Sequence, residues 1–339
     1  MYKLLFMMTL MMGKLISISS YSWMGTWMGL EINLLSFIPL MMKKKNPFSS
    51  ESSIKYFLIQ AMTSSIFMFT IIMIMINNNL INNWINFNQC MMMLINSSLL
   101  LKMGSAPFHF WFPEIIDGMS WINSLILMTW QKIAPMMLLS YTMKSTNYII
   151  LIILLSTMIG SIGGLNQTSL RKLLTYSSIN HIGWMISSFL INNLLWMIYF
   201  MIYSIISITL ILIMNKMNLF YMKQIFMMLN YNIIIKFMIL LNLLSLGGLP
   251  PFLGFLPKWM IIQYMSINYI YLILFMIMMT LITLFFYLQI SYSSLMIMHN
   301  HINFNFINNM NYKISINMMF MSFISICSLI MFTLFFNFY

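Results

Sequence analysis

Along the chain, apolar residues run in stretches of about 17 to 25, and the polar residues gather in the short gaps between them. A helix of about 20 apolar residues, at 1.5 Å each, covers about 30 Å of hydrocarbon. The runs lack the two-residue alternation of a barrel wall, so in lipid only the α-helix can pair every backbone amide. The pattern predicts an all-α polytopic membrane protein, one transmembrane domain over 1–339. About eleven transmembrane helices are expected, near 3–20, 23–42, 55–76, 90–116, 119–141, 147–164, 172–191, 194–214, 232–263, 268–293 and 314–338.

Two of these runs are interrupted alike. Gly104-Ser105-Ala106-Pro107-Phe108 leads after four residues to Pro113, and Gly248-Leu249-Pro250-Pro251-Phe252 leads after four to Pro257. Proline inside a helix removes a hydrogen bond and clashes with the preceding turn, so each run is expected to break. Broken backbone at membrane depth is tolerated only where protein or water covers it. Matched broken helices in two halves of a chain are a mark of transporters, with the pathway near the breaks.

Composition agrees with this picture. The chain is 61% hydrophobic and 6% charged, against about 25% charged in soluble domains, which excludes a soluble protein. Two cysteines, Cys90 and Cys327, are too few for an iron–sulfur cluster. The formal charge of +12 is scattered over short loops and helix ends rather than gathered in one patch, so no nucleic-acid partner is expected. With eleven crossings, Lys3, Lys43, Lys44, Lys45, Lys55, Arg171, Lys172, Lys216, Lys223 and Lys313 fall on the N-terminal face, against Lys144 on the other. By the positive-inside rule the N-terminus then lies on the inner side of the membrane and the C-terminus on the outer, which in a mitochondrion are the matrix and the intermembrane space. The 44 methionines, 28 phenylalanines and single arginine favour codons that avoid G and C, as in an organelle genome. The apolar opening lacks the Arg- and Ser-rich pattern of an imported precursor, which fits synthesis inside a mitochondrion.

Four ionisable residues stand inside this apolar chain: Glu31 near the middle of the second run, Lys102 just before the first break, Lys132 deep in the fifth run, and Lys258 directly after Pro257. Each costs about 2.5–3.5 kcal/mol at a helix centre on insertion scales, and such residues are candidates for function by default. Glu31 is the one deep carboxylate, so it is expected to pair with a lysine, Lys102 first. Burial disfavours an ammonium while a nearby carboxylate favours it, so moving one charge switches the other. Lys14 and Lys236 are expected to snorkel to the surface, and Glu114 and Asp117 to serve as helix caps and solvated groups. A polar stripe of Tyr176, Ser177, Ser178, Asn180 and His181 either holds water or packs helices. His109 and His181 give weak support to haem ligation.

The strings LKMGSAPFHFWFPE (101–114), LMTWQKIAP (127–135), GGLNQTSLRKLLTYSSINHIGWM (163–185) and LSLGGLPPFLGFLPKWMIIQ (244–263) resemble mitochondrial NADH dehydrogenase (ubiquinone) subunit 2 proteins, antiporter-like membrane-arm subunits of respiratory complex I. EINLLSFIPLM and ESSIKYFLIQA resemble them too, and the likeness runs in order over nearly the whole chain. It implies a core membrane subunit that translocates protons, driven by quinone reduction elsewhere in the complex. It also implies roles for Glu31 and Lys102 as a coupled pair, Lys132 as the central relay lysine and Lys258 as the lysine of the second broken helix. No cofactor is expected on this chain. NADH, FMN, iron–sulfur clusters and ubiquinone would belong to the rest of the complex, and the partners would be neighbouring membrane-arm subunits and lipids. A stand-alone cation/proton antiporter and a structural membrane scaffold are the competing readings.

Overall fold

The computed structural model describes residues 2–42, 46–78, 89–143, 146–228 and 233–296, with Ser322, Phe323 and Ser325. Among them are fourteen α-helices and no strand, apart from a single bridge between Ser169 and Tyr221. The chain packs as two compact units, Met1–Ile159 with Ser178–Asn193 and Gly160–Ser177 with Leu194–Tyr339.

The first unit opens with α1 (Tyr2–Ser19), α2 (Trp23–Met41) and α3 (Pro47–Asn78). Ser22 caps α2 by accepting the Gly25 amide at 3.2 Å, and α3 begins on Pro47, whose fixed φ and missing N–H suit a first turn. Small residues, Gly13 and Ser17 on α1 and Gly29 on α2, let two backbones meet. A Cβ on Gly29 would stand 2.5 Å from the Ser17 nitrogen and 2.7 Å from the Gly13 oxygen.

The fourth run is broken into α4 (Gln89–Met103) and α5 (Trp111–Gly118). Gly104 supplies φ +72°, the left-handed turn that stops a helix, and its amide bonds to Leu101 O while that of Ser105 bonds to Leu100 O. These paired bonds form a Schellman stop. The fifth run divides into α6 (Trp121–Met128) and α7 (Trp130–Thr142), a break at Thr129 that the pattern of apolar positions does not announce. Here the Thr129 hydroxyl bonds its own Leu125 carbonyl at 2.8 Å, the back-bonding that bends helices. Then come α8 (Thr146–Ile162) and α9 (Leu170–Phe189), the latter divided between the units at Ser177.

In the second unit, α10 (Asn193–Lys216) is followed by α11 (Met222–Met228), a short helix where a loop was expected. The broken ninth run becomes α12 (Ile233–Gly247) and α13 (Phe255–Met265), and the tenth is α14 (Ile270–Met296). Gly248, at φ +82°, repeats the stop, with its amide on Ser245 O and that of Leu249 on Leu244 O. The expected helix at 314–338 lies outside the described residues, as do Lys43, Lys44, Lys45, Lys144 and Lys313. Lys55, expected at the start of its helix, lies two turns inside α3, which begins at Pro47. Among the described residues, Tyr2–Ser19, Pro47–Ile76, Asn193–Lys216 and Ile270–Ser293 are long and apolar enough to cross a membrane.

Candidate functional site

Three of the four ionisable residues belong to the first unit. Glu31 is carried by α2, Lys102 by the last turn of α4 and Lys132 by the first turn of α7. Lys102 is 9% exposed and Lys132 1%. Each ammonium lies over an aromatic face: Lys102 Nζ is 5.7 Å from the Phe67 ring centre and Lys132 Nζ 5.3 Å from that of Phe112. A ring holds a cation with about 0.5–2 kcal/mol while adding no group that accepts a proton.

Lys102 lines a polar cavity with Asn33, Tyr56, Gln60, Gln131 and Pro135, closed on the apolar side by Leu30 and Leu34. Its space for a water-sized sphere is about 20 Å³, enough for a water molecule among several polar partners. Proline at position 135 has no N–H to offer the Gln131 carbonyl one turn back, so the ordinary helical bond is missing beside the cavity.

The structure corrects the expected direct pairing of Glu31 with Lys102. The direct ion pairs among the described residues are those of Lys55 with Glu51 at 3.0 Å and with Glu114 at 3.3 Å. One carboxylate oxygen of Glu31 is buried without a hydrogen-bond partner among the described residues. Helix geometry explains the separation. Leu30, Asn33 and Leu34 form the cavity face of α2, and Glu31, about 160° round the helix from Asn33 and about 60° from Leu34 at 100° per residue, stands at the flank of that face.

Two polar ties meet on α7. Asn33 and Gln131 exchange side-chain hydrogen bonds, Asn33 Nδ2 donating at 2.5 Å and Gln131 Nε2 donating at 3.3 Å. Thr142 donates to Asn96 Oδ1 on α4 at 2.5 Å. The helix that bears Lys132 is therefore fastened to those that bear Glu31 and Lys102.

Lys258 belongs to the second unit and is 5% exposed. Its ammonium reaches back across the break and donates to Gly247 O at 2.9 Å and Leu246 O at 3.5 Å. A cation there satisfies carbonyls that the end of α12 leaves open.

Lys14 does not snorkel. It is 1% exposed, its Nζ has no hydrogen-bond partner among the described residues, and it lies 5.1 Å from the Trp130 ring centre. The Gly13–Gly29 contact turns this face of α1 inward. Lys236 is buried as well. Glu114 fits its expected surface role, exposed in the first turn of α5 and bonded to Lys55. His109, in the first break, faces Pro107 O at 3.3 Å, and His181 is buried in α9. The amides Asn33, Gln60 and Gln131 went unmarked at the level of sequence. The signals were Glu31-x-Asn33, the Tyr56–Gln60 spacing of one turn, and Gln131 beside Lys132.

Residues 20–283 match the family described as NADH:quinone oxidoreductase/Mrp antiporter, TM. The chain is 53% identical over 330 residues to an NADH-ubiquinone oxidoreductase chain 2 of Anopheles gambiae, covering 96% of each chain. It is 48% identical over 299 residues to that of Locusta migratoria, covering 88% of this chain and 86% of the other. In fold it resembles a chain of respiratory complex I from Thermus thermophilus, with a TM-score of 0.79 at 20% identity, over 86% of this chain and 70% of that one.

Proposed function

The chain belongs to the NADH-ubiquinone oxidoreductase chain 2 family, and from that premise we propose that it is a core membrane subunit of respiratory complex I that moves protons through Glu31, Lys102 and Lys132. The observation that carries this reading is the polar cavity beside Lys102, lined by Asn33, Tyr56, Gln60 and Gln131. Two unit charges about 8 Å apart interact by about 2 kcal/mol at an effective dielectric constant of 20. Moving the Glu31 charge toward or away from Lys102 therefore changes how firmly the lysine holds its proton. A proton leaving Lys102 for cavity water has Lys132, one residue beyond Gln131, as the next basic group along α7.

The reading extends to the surroundings. The protein is an integral protein of the mitochondrial inner membrane, its N-terminus in the matrix and its C-terminus in the intermembrane space. Its partners are other complex I subunits and, along apolar faces such as Leu4, Met8 and Leu15 of α1, lipids, with no nucleic acid. NADH, FMN, iron–sulfur clusters and ubiquinone belong to the rest of the complex.

Lys258 favours a second reading for itself. Its bonds to Gly247 and Leu246 give it a structural task at the end of α12, beside whatever proton it exchanges. The test of the main reading is Lys132→Met or Lys102→Met in complex I reconstituted into vesicles. A positioned acid–base group contributes about 10²–10⁴ to proton transfer, so the assembled variants are expected to move fewer protons per electron. Unchanged pumping refutes the relay, and loss of assembly from both supports the scaffold.

A further inference from the structure

The reciprocal amide pair of Asn33 and Gln131 joins two helices at residues 98 positions apart in the chain. Each side chain offers two N–H donors and an oxygen with two lone pairs, and the pair consumes one donor and one lone pair of each. The remaining capacity of both amides is available to the cavity that Lys102 lines. Neither group titrates in the physiological range, so the pair holds water and position but no proton.

The location matters as much as the chemistry. Asn33 follows Glu31 by two residues and Gln131 precedes Lys132 by one. Turning α2 so that Glu31 approaches Lys102 carries Asn33 round the same axis, and the bonds to Gln131 resist it. We infer that the Asn33–Gln131 pair is a positioning element of the relay: it holds Glu31 out of direct contact with Lys102 and seats the cavity water between Lys102 and the start of α7. Without the tie, Glu31 closes onto Lys102 as a fixed ion pair and the lysine no longer gives up its proton. This inference rests on the proton-relay reading above.

The experiment uses complex I in vesicles with Asn33→Leu and Gln131→Leu combined, so that neither amide is left buried alone. The expected result is an assembled complex that oxidises NADH but moves fewer than about half as many protons per electron, the loss of a positioned group from a transfer path. The exchanged pair, Asn33→Gln with Gln131→Asn, keeps both amides and is expected to restore most of the ratio. Normal pumping by the leucine pair overturns the inference, as does an assembled exchanged pair that restores nothing. If the leucines prevent assembly, Asn33→Cys with Gln131→Cys serves instead: bridged by a short bis-thiol reagent it is expected to pump, unbridged to pump poorly, and equal ratios overturn the inference. Lys102→Met in the same vesicles separates the two failures. If it too pumps normally, the relay is wrong; if it alone fails, only the tie is.

Discussion

The two broken helices stop in the same way and treat their lysines in opposite ways. Gly104 and Gly248 both take left-handed φ and both make the paired Schellman bonds. At the first break the Leu101 carbonyl accepts from the Trp111 indole at 3.2 Å, and Lys102, one residue on, makes no hydrogen bond among the described residues. At the second break no indole bonds the helix end among the described residues, and Lys258 itself donates to it. In repeat register Lys258 corresponds to Glu114 and Lys102 to Leu246, yet the long side chain of Lys258 returns its charge to the carbonyl of Leu246. The first break adds a neutral indole to a carbonyl that Gly104 already fills and leaves its cation to the cavity. The other uses its cation as the cap.

This contrast breaks most directly at the lysines. A hydrogen bond from a charged donor is worth about 1.5–3 kcal/mol, so Lys258→Met is expected to raise amide hydrogen exchange at Gly248 and Leu249 by about tenfold or more. Lys102→Met is expected to leave Gly104 and Ser105 as they were. Equal effects at the two breaks would erase the distinction.

The glycines sharpen it next. A left-handed residue other than glycine costs about 1–2 kcal/mol, so Gly104→Ala and Gly248→Ala should both lower the temperature at which the subunit dissociates. A Cβ at Gly104 meets Phe112 Cβ at 3.0 Å, close to backbone, whereas at Gly248 it meets Lys258 Nζ at 2.9 Å, the end of a flexible chain. The first substitution is expected to be the more damaging to stability, and the second to move Lys258 off its carbonyl. The smallest effect is that of Trp111→Phe, which removes one neutral hydrogen bond of about 1 kcal/mol. Exchange at Gly104 and Ser105 should rise a few-fold with this change while proton pumping holds.

The breaks could be read in the sequence because glycine and proline act on their own backbone. The bend at Thr129 could not, since it depends on which carbonyl a hydroxyl selects within the fold. Glu31, Lys102 and Lys132 stood out as charges in an apolar chain and do share one unit. Asn33 and Gln131 did not, because asparagine is plentiful throughout this composition and an amide has no charge to mark it. Their pairing joins residues 98 positions apart, which no local pattern encodes. The inward turn of Lys14 was hidden for a related reason: distance from a helix end suggested snorkelling, while the closeness of α1 to α2 decided the matter.

That closeness has an evolutionary consequence. Glycine codons begin with two guanines, so base-composition drift toward A and T works against the twelve glycines of the chain. At Gly29 the drift meets a physical stop, since any side chain there collides with the Ser17 and Gly13 backbone. A single base change in α2 would part the two helices and draw Lys14 away from Trp130, so a lesion in one gene segment would be felt as a misplaced cation in another.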